Sequence, residues 1–352
     1  MPQTKIKKLL QNIFVAAIFG GLFFGTQPLI SAQNSRLTEI SAQVVKIDSG
    51  EIVDNLTAGD FRLYENGRAQ KIVSVERETR PLSIVIAFVT NPGSCPDGLT
   101  NNASRLAAAF QKILTANEDL AIVMTDKNGS IVRGFGRAAA SLGEDFAKAE
   151  NIAGKNSFPP VFNDNNPNVN SNGGVYEIYP LPALQMAVKL LRENAPRASR
   201  RVILFVNALE NTNVGKADAG RALLHDLISE QTTLAWLGSG DDEKSFDLAG
   251  APFGKRKFYL GMTDFSGGES QPCKAQKPVI DLFSKPRPTP SVQAEDELAE
   301  LLDRLRTRYH ISYRSNDAVG DELRGVRLEL NGAGRNDKNT LIHYPKAVHA
   351  AR

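Results

Sequence analysis

The stretch Leu82-Ser-Ile-Val-Ile-Ala-Phe-Val89 decides the fold, because Ser83 is its only polar side chain. An apolar run of this kind is typical of a strand buried on both faces of a parallel sheet. Further strand and helix patterns alternate after it, as in βαβ units. The strand patterns cover 120–124, 131–132, 202–206, 232–237 and 258–260, and the helix patterns cover 103–114, 184–191 and 219–227. We therefore predict an α/β fold with a doubly wound, mostly parallel sheet.

The sequences on either side of this α/β region are typical of short antiparallel strands. Asn66-Gly67 stands between two alternating runs and predicts a hairpin, and Thr57 with Asp60 predicts a single capped helical turn. Alternating apolar residues return at 309–313, 326–330 and 341–344. We predict one small discontinuous β-sandwich-like domain, residues 36–80 and 309–345, with an α/β domain inserted at 81–308. The inserted domain carries an Asn-rich loop at 162–174 and a Pro-rich linker at 277–290, and the chain ends in a tail at 346–352.

The charge balance excludes some classes of partner. The chain has 42 Lys and Arg against 39 Asp and Glu, and Lys5, Lys7 and Lys8 account for the whole excess of three. A balance without clustered cations does not favour nucleic acid or an anionic membrane surface as a partner. The apolar content of 41% is typical of a globular protein with a sizeable core.

The first 32 residues have the order of a secretory signal peptide. Three lysines precede an apolar run at 13–24, and Ser31-Ala32 ends a short polar region. The apolar run is shorter than the roughly 20 residues that span a bilayer. We predict cleavage near Ala32 and export to the periplasm or outside the cell, with no membrane span in the mature chain. The alternative is an uncleaved N-terminal segment that anchors the protein.

The chain contains two cysteines, Cys95 and Cys273, and neither belongs to a Cys-x-x-Cys motif. A zinc site is therefore not expected. Both cysteines follow predicted strands of the parallel sheet, and an exported protein folds in an oxidising compartment. We predict that they form one disulfide, and the alternative is two separate buried thiols.

No motif of the common enzyme classes is present. The chain lacks G-x-S-x-G, G-x-x-x-x-G-K-[ST] and H-E-x-x-H, and its four histidines are scattered. Gly134-Phe-Gly136 fits a dinucleotide motif loosely, but its strand is the predicted second arm of a hairpin. The Asn-rich loop has Val169 where a calcium loop needs glycine. We predict that the protein is not an enzyme and has no cofactor.

Two segments indicate a family. The first is Val53-Asp-Asn-Leu-Thr-Ala-Gly-Asp-Phe-Arg-Leu-Tyr-Glu-Asn-Gly-Arg-Ala-Gln-Lys-Ile72, followed by the apolar strand, and the second is Tyr309-His-Ile-Ser-Tyr313. Together they resemble the exported acidobacterial proteins with a von Willebrand factor type A-related domain. The resemblance implies a doubly wound sheet whose ligand contacts lie at the carboxyl ends of the strands.

The metal-binding motif of such domains is degenerate in this chain. Val89-Thr-Asn91-Pro-Gly93 stands in place of the family's Asp-x-Ser-x-Ser, Val175 in place of its threonine, and Ala208 in place of its aspartate. Side chains of valine and alanine offer no oxygen to a hard cation. The resemblance therefore implies a type A-like domain without a functional metal site.

We interpret the chain as an exported, noncatalytic protein-binding or scaffold module with an unidentified protein ligand. The predicted binding face consists of polar residues that follow two strands: Asn91, Ser94, Asp97, Asn207, Glu210 and Asn211. One alternative is a metal-dependent adhesion module in which Ser94, Asp97 and Glu210 form a displaced site. Another is an enzyme that uses Asp97, Asp126 or Glu210 in the cleft above the sheet.

Overall fold

The described residues form two large sheets, a mostly parallel one that is covered by helices and an antiparallel one. A computed structural model describes residues 36–88, 103–124, 130–136, 141–156, 180–206, 217–238, 245–247, 255–272, 293–315, 323–331 and 339–349. The strands are β1 (Arg36–Lys46), β2 (Phe61–Glu65), β3 (Arg68–Arg77), β4 (Leu82–Phe88), β5 (Asp119–Met124), β6 (Ser130–Gly136), β7 (Arg200–Val206), β8 (Thr232–Gly238), β9 (Ser245–Asp247), β10 (Lys255–Lys257), β11 (Ser270–Pro272), β12 (Tyr309–Ser315), β13 (Leu323–Leu330), β14 (Thr340–His343) and β15 (Ala347–His349). The helices are α1 (Ala103–Ile113), α2 (Leu142–Asn156), α3 (Pro180–Asn194), α4 (Ala217–Ser229), α5 (Phe258–Phe265) and α6 (Gln293–Arg306).

The helix-covered sheet is six-stranded and mostly parallel, as the sequence predicts. Its order is β11-β8-β7-β4-β5-β6, and only the edge strand β6 is antiparallel to its neighbour. The opening apolar run forms β4, which pairs with β5 on one side and β7 on the other. This central position explains why its side chains from Ile84 to Ala87 are completely buried.

Helices cover both faces of this sheet. Alternate strand residues point to opposite faces, so Ile84 and Ile86 pack with α1, α2 and α6, whereas Val85 and Ala87 pack with α3, α4 and α5. Phe110 of α1 and Phe146 of α2 stack with ring centroids 6.0 Å apart. Each fully buried apolar side chain of this size stabilises the fold by roughly 1.5–3 kcal/mol.

The second sheet is antiparallel and combines strands from both flanks of the α/β region. Its order is β14-β1-β12-β3-β2-β13-β15, so β12 lies between β1 and β3. The predicted sandwich is not confirmed, because these strands are hydrogen-bonded into one sheet and not into two facing sheets. Only residues 344–346 separate β14 at one edge from β15 at the other, so the sheet curls around its own apolar core.

Two local predictions are confirmed in the antiparallel sheet. Asn66 and Gly67 have φ angles of 47° and 78°, the left-handed values that a tight two-residue hairpin between β2 and β3 requires. The backbone N–H of Thr57 donates to Asp60 Oδ2 over 2.7 Å at the start of the single 3-10 turn. This bond lowers the pKa of the exposed Asp60 carboxyl.

The prediction of a strand at 258–260 is wrong, because these residues begin helix α5. Tyr259, Met262 and Phe265 recur at helical spacing and are all buried against the sheet.

Helix α2 was not predicted and lies just after β6. Gly134 stands in β6, which pairs antiparallel with β5 as the hairpin prediction requires. Within the described ranges, no helix is long and apolar enough to cross a membrane.

Candidate functional site

The strand order defines a crevice at one end of the parallel sheet. From β4 the chain continues to β5 and β6 on one side, and from β7 it continues to β8 and β11 on the other. The connections that leave the carboxyl ends of β4 and β7 therefore diverge. Open α/β sheets bind ligands in the crevice that such a reversal creates.

The predicted binding face draws its residues from two segments, one after β4 and one after β7, and both segments start at this crevice. Phe88 and Val206 are register partners at the carboxyl ends of β4 and β7. Neighbouring strands lie about 4.8 Å apart, so the chain leaves the sheet toward position 89 and toward position 207 from adjacent points. The arrangement brings the origins of both segments together, which the sequence alone did not establish.

The side chains of that face lie outside the described residues. This holds for Asn91, Ser94, Asp97, Asn207, Glu210 and Asn211, for Asp126, Val175 and Ala208, and for Cys95 and Cys273. The signal segment at 1–32 lies outside them as well. Among the residues that the structure does describe, no three His, Cys, Asp or Glu side chains are grouped so that they could hold a metal ion.

The opposite, amino-terminal end of the parallel sheet carries a buried ionic cluster that the sequence analysis missed. Glu78 accepts hydrogen bonds from Arg80 Nε at 2.9 Å and Nη2 at 2.7 Å. Arg200 Nε approaches the same carboxylate at 3.6 Å, and Arg200 Nη1 donates to the Leu305 carbonyl at 2.6 Å. The cluster joins the segment before β4, the start of β7 and the end of α6.

Burial and neighbouring charge act together on the pKa values of this cluster. Desolvation raises the pKa of Glu78, but the hydrogen bonds from Arg80 and the charge of Arg200 outweigh it, so that the pKa is lowered. Desolvation, followed by repulsion from Arg308, lowers the pKa of Arg200 to about 9. Both groups are therefore charged at neutral pH and depend on each other inside the protein.

A second set of buried contacts joins the two sheets. Arg308, which is 1% exposed, donates from Nη2 to the Gly267 carbonyl, and desolvation lowers its pKa to about 10. Arg304 Nε donates to Glu269 at 2.7 Å, and Gln43 Nε2 of β1 donates to the Arg304 carbonyl at 2.6 Å. These contacts fix the antiparallel sheet against α6 and the turn before β11.

Beside the ionic cluster, a cleft of about 820 Å³ lies between the two sheets. Its described lining includes the start of β1, the starts of β7 and β8, Pro345 and the strand β15. Arg201 pairs with Glu230 at 2.6 Å, and the rings of His225 and His349 meet edge to face at 5.6 Å. The available sequence signal was the set of arginines immediately before apolar strands, at 80 and at 200–201.

Comparisons with known proteins indicate a distant structural likeness. Protein-family profiles give no match to the sequence, and curated proteins give no significant match. The chain is similar to a solved von Willebrand factor type A structure from Catenulispora acidiphila, with 12% identity over 88% of this chain and 72% of that one, at a TM-score of 0.36. It is also similar to an aerotolerance-related membrane protein from Bacteroides fragilis, with 12% identity, 64% and 100% coverage and a TM-score of 0.32. Manganese-loaded TRAP protein from Plasmodium vivax gives 10% identity, 83% and 97% coverage and a TM-score of 0.33. Likeness at this level does not indicate what the chain binds.

Proposed function

We propose that this protein is an exported, noncatalytic protein-binding module whose ligand face lies at the carboxyl ends of β4 and β7. The observation that carries the proposal is the strand order, which places the origins of the 89–102 and 207–216 segments side by side at the reversal point. Those segments contribute Asn91, Ser94, Asn207 and Asn211, neutral polar residues suited to hydrogen bonding with a protein surface.

The proposal also states that binding needs no divalent cation. Mg²⁺ requires several oxygen ligands and gives up its waters reluctantly. The resemblance aligns Val89, Val175 and Ala208 with the family's ligand positions, and these side chains supply no oxygen. A face of this composition acts through hydrogen bonds and shape.

Charge placed at the crevice tests the proposal. The purified chain is incubated with extracytoplasmic extract of its source organism, and bound proteins are identified by mass spectrometry. We expect a partner retained by the natural chain to be lost on Asn91→Arg and on Asn207→Arg. The matched control is Gln185→Arg, which adds the same charge at an exposed position on α3 and leaves retention unchanged.

Cation dependence separates this function from the adhesion alternative. Retention that disappears with chelator, returns with Mg²⁺ or Mn²⁺, and is abolished by Asp97→Ala would establish the displaced metal site instead. Partners that are equally retained by all of these variants would place the ligand face elsewhere on the molecule.

A further inference from the structure

One edge of the antiparallel sheet is only partly paired. Strand β1 pairs with β12 through residues 36–42 and with β14 through residues 43–46, on opposite edges. Among the described residues, no strand pairs with the β14-side edge of β1 over 36–42. Unpaired N–H and C=O groups along a strand edge are a template for another extended chain.

The hydrogen bonds at the far end of β1 show which residues face that free edge. Lys46 N and Val44 O bond to Glu51 O and Val53 N on the β12 side, whereas Ile47 N bonds to Asn339 O on the β14 side. In an antiparallel strand, the backbone N–H and C=O groups of successive residues point to opposite edges, and the pairing of β1 has no register shift that would interrupt this alternation. The N–H and C=O groups of Leu37, Glu39 and Ser41 therefore face the free edge, and those of Thr38 and Ile40 face β12.

The free edge borders the cleft between the two sheets. All five residues from Leu37 to Ser41 line it, although their side chains point alternately to the two faces of the sheet. Consecutive residues can line one cavity in this way when the backbone edge itself faces it. The segment from Ala347 to His349 borders the cleft as well, so an added strand would lie between β1 and the other end of the curled sheet.

The charge of the cleft favours an acidic occupant. Its described lining contains five arginines, at 80, 192, 197, 200 and 201, and three carboxylates, at 39, 226 and 230. Glu78 and Glu230 pair with three of the arginines. The other two, Arg192 and Arg197, are exposed and have no ion pair with any described residue. Of the lining carboxylates, Glu39 lies 3.1 Å from His310 Nε2, and Asp226 alone has no ion pair with a described residue, so the arginines without a partner outnumber it.

We propose that this cleft binds an extended, acidic peptide segment of another protein, which adds to β1 as a strand through Leu37, Glu39 and Ser41 and places carboxylates near Arg192 and Arg197. The main-chain bonds select an extended conformation, and the arginines select acidic side chains. A volume of about 820 Å³ lies within the range of roughly 300–1,000 Å³ that is usual for ligand pockets. The site is at the amino-terminal end of the parallel sheet, opposite the proposed ligand face, and does not depend on it.

Titration with a defined peptide tests the charge preference. The probe is an acetylated and amidated heptapeptide that alternates valine and glutamate, and its counterpart carries lysine for glutamate. We expect saturable binding of the glutamate peptide to the purified full chain by calorimetry, and none of the lysine peptide. The double variant Arg192→Glu/Arg197→Glu should weaken binding by about tenfold or more. Lys189→Glu, an exposed charge reversal on α3 outside the cleft lining, should change it less than about twofold.

Amide hydrogen exchange by NMR tests the strand addition itself. We expect bound peptide to slow exchange at Leu37, Glu39 and Ser41 and to leave Thr38 and Ile40 unchanged, since those two already face β12. Leu37→Pro should abolish binding, because proline removes a donor from the free edge only, and Leu37→Ala should retain it. Thermal melts of each variant confirm that it is folded.

Three results would overturn the proposal: no saturable binding at millimolar peptide, equal binding of the lysine peptide, or protection without the alternating pattern. Asn91→Arg should not affect peptide binding, so failure at this cleft and failure at the carboxyl-end face are distinguishable.

Discussion

Replacement of Glu78 by glutamine tests the ionic cluster, because the substitution removes the charge and preserves the shape. The Glu78 side chain is 2% exposed, and those of its partners Arg80 and Arg200 are 33% and 5% exposed. Removal of one partner from a buried ion pair costs about 3–5 kcal/mol, since the other charge stays buried without compensation. Arg80 can turn toward water, whereas Arg200 cannot. We therefore expect Glu78→Gln to lower the free energy of unfolding by about 3 kcal/mol, at the low end of that range.

Urea unfolding at pH 7, followed by the fluorescence of Trp236, measures this change. Trp236 is the only tryptophan and is buried in β8. The matched control is Glu76→Gln, an exposed carboxylate two residues away, for which we expect a change within about 0.5 kcal/mol. Equal effects of the two substitutions would refute the argument that burial makes the Glu78 pair important.

The pH dependence gives an independent check with a definite sign. The folded pKa of Glu78 lies below its ordinary value of 4.5, so its contribution is complete above about 4.5 and is lost as pH falls through the lower folded value. The stability difference between the natural chain and Glu78→Gln should therefore shrink on acidification from pH 5 to 3. A difference that grows over this interval would contradict the lowered pKa.

Four further predictions concern the backbone, cations, export and the disulfide. Gly267→Ala should destabilise the protein by more than about 2 kcal/mol, because φ is +77° and an added Cβ would lie 2.5 Å from Pro345 N. Gly143→Ala, with open space around it in α2, should be neutral or stabilising in the same denaturant titration. Millimolar Mg²⁺, Mn²⁺ or Ca²⁺ should leave the melting temperature unchanged, since any cation bound to the folded state would raise it. Exported protein should have the intact mass of a chain without residues 1–32, and Cys95 and Cys273 should resist alkylation until a reductant is added; two alkylated thiols without reductant would exclude the disulfide.

Local sequence signals predicted the elements whose determinants lie within a few residues. Asn66-Gly67 adopts the turn it predicts because the two φ angles depend on those residues themselves. The strand that begins at Leu82 is buried on both faces because apolar side chains point to each face of the sheet. At 258–260 only three residues supported the strand prediction, too few to distinguish a period of two from a period of 3.6. The longer pattern Tyr259, Met262 and Phe265 identifies the helix.

The buried ionic contacts between the two sheets could not be predicted from local sequence signals. Glu78, Arg200 and Arg308 are far apart in the sequence, and each alone resembles a surface charge next to a strand. Their burial follows from how the antiparallel sheet packs on the parallel one, which no single segment specifies. The carboxyl-end face differs, since strand ends share one edge of a parallel sheet by construction. The sequence could therefore predict that the segments after β4 and β7 leave the same edge of the sheet, but not that the two strands are neighbours.

The position of β12 between β1 and β3 has a consequence for the order of folding. Both neighbours belong to the first 77 residues, whereas β12 begins at Tyr309. More than two hundred residues are synthesised between the end of β3 and the start of β12. During this time the edges of β1 and β3 that β12 later occupies are unpaired, and exposed edges of this kind promote misassembly. Pairing across so long a separation also slows folding, because loop closure precedes any gain from contact. The polypeptide thus reaches its native state only when its last strands are available, and a chain truncated before β12 would leave unpaired the edges of β1 and β3 that β12 occupies.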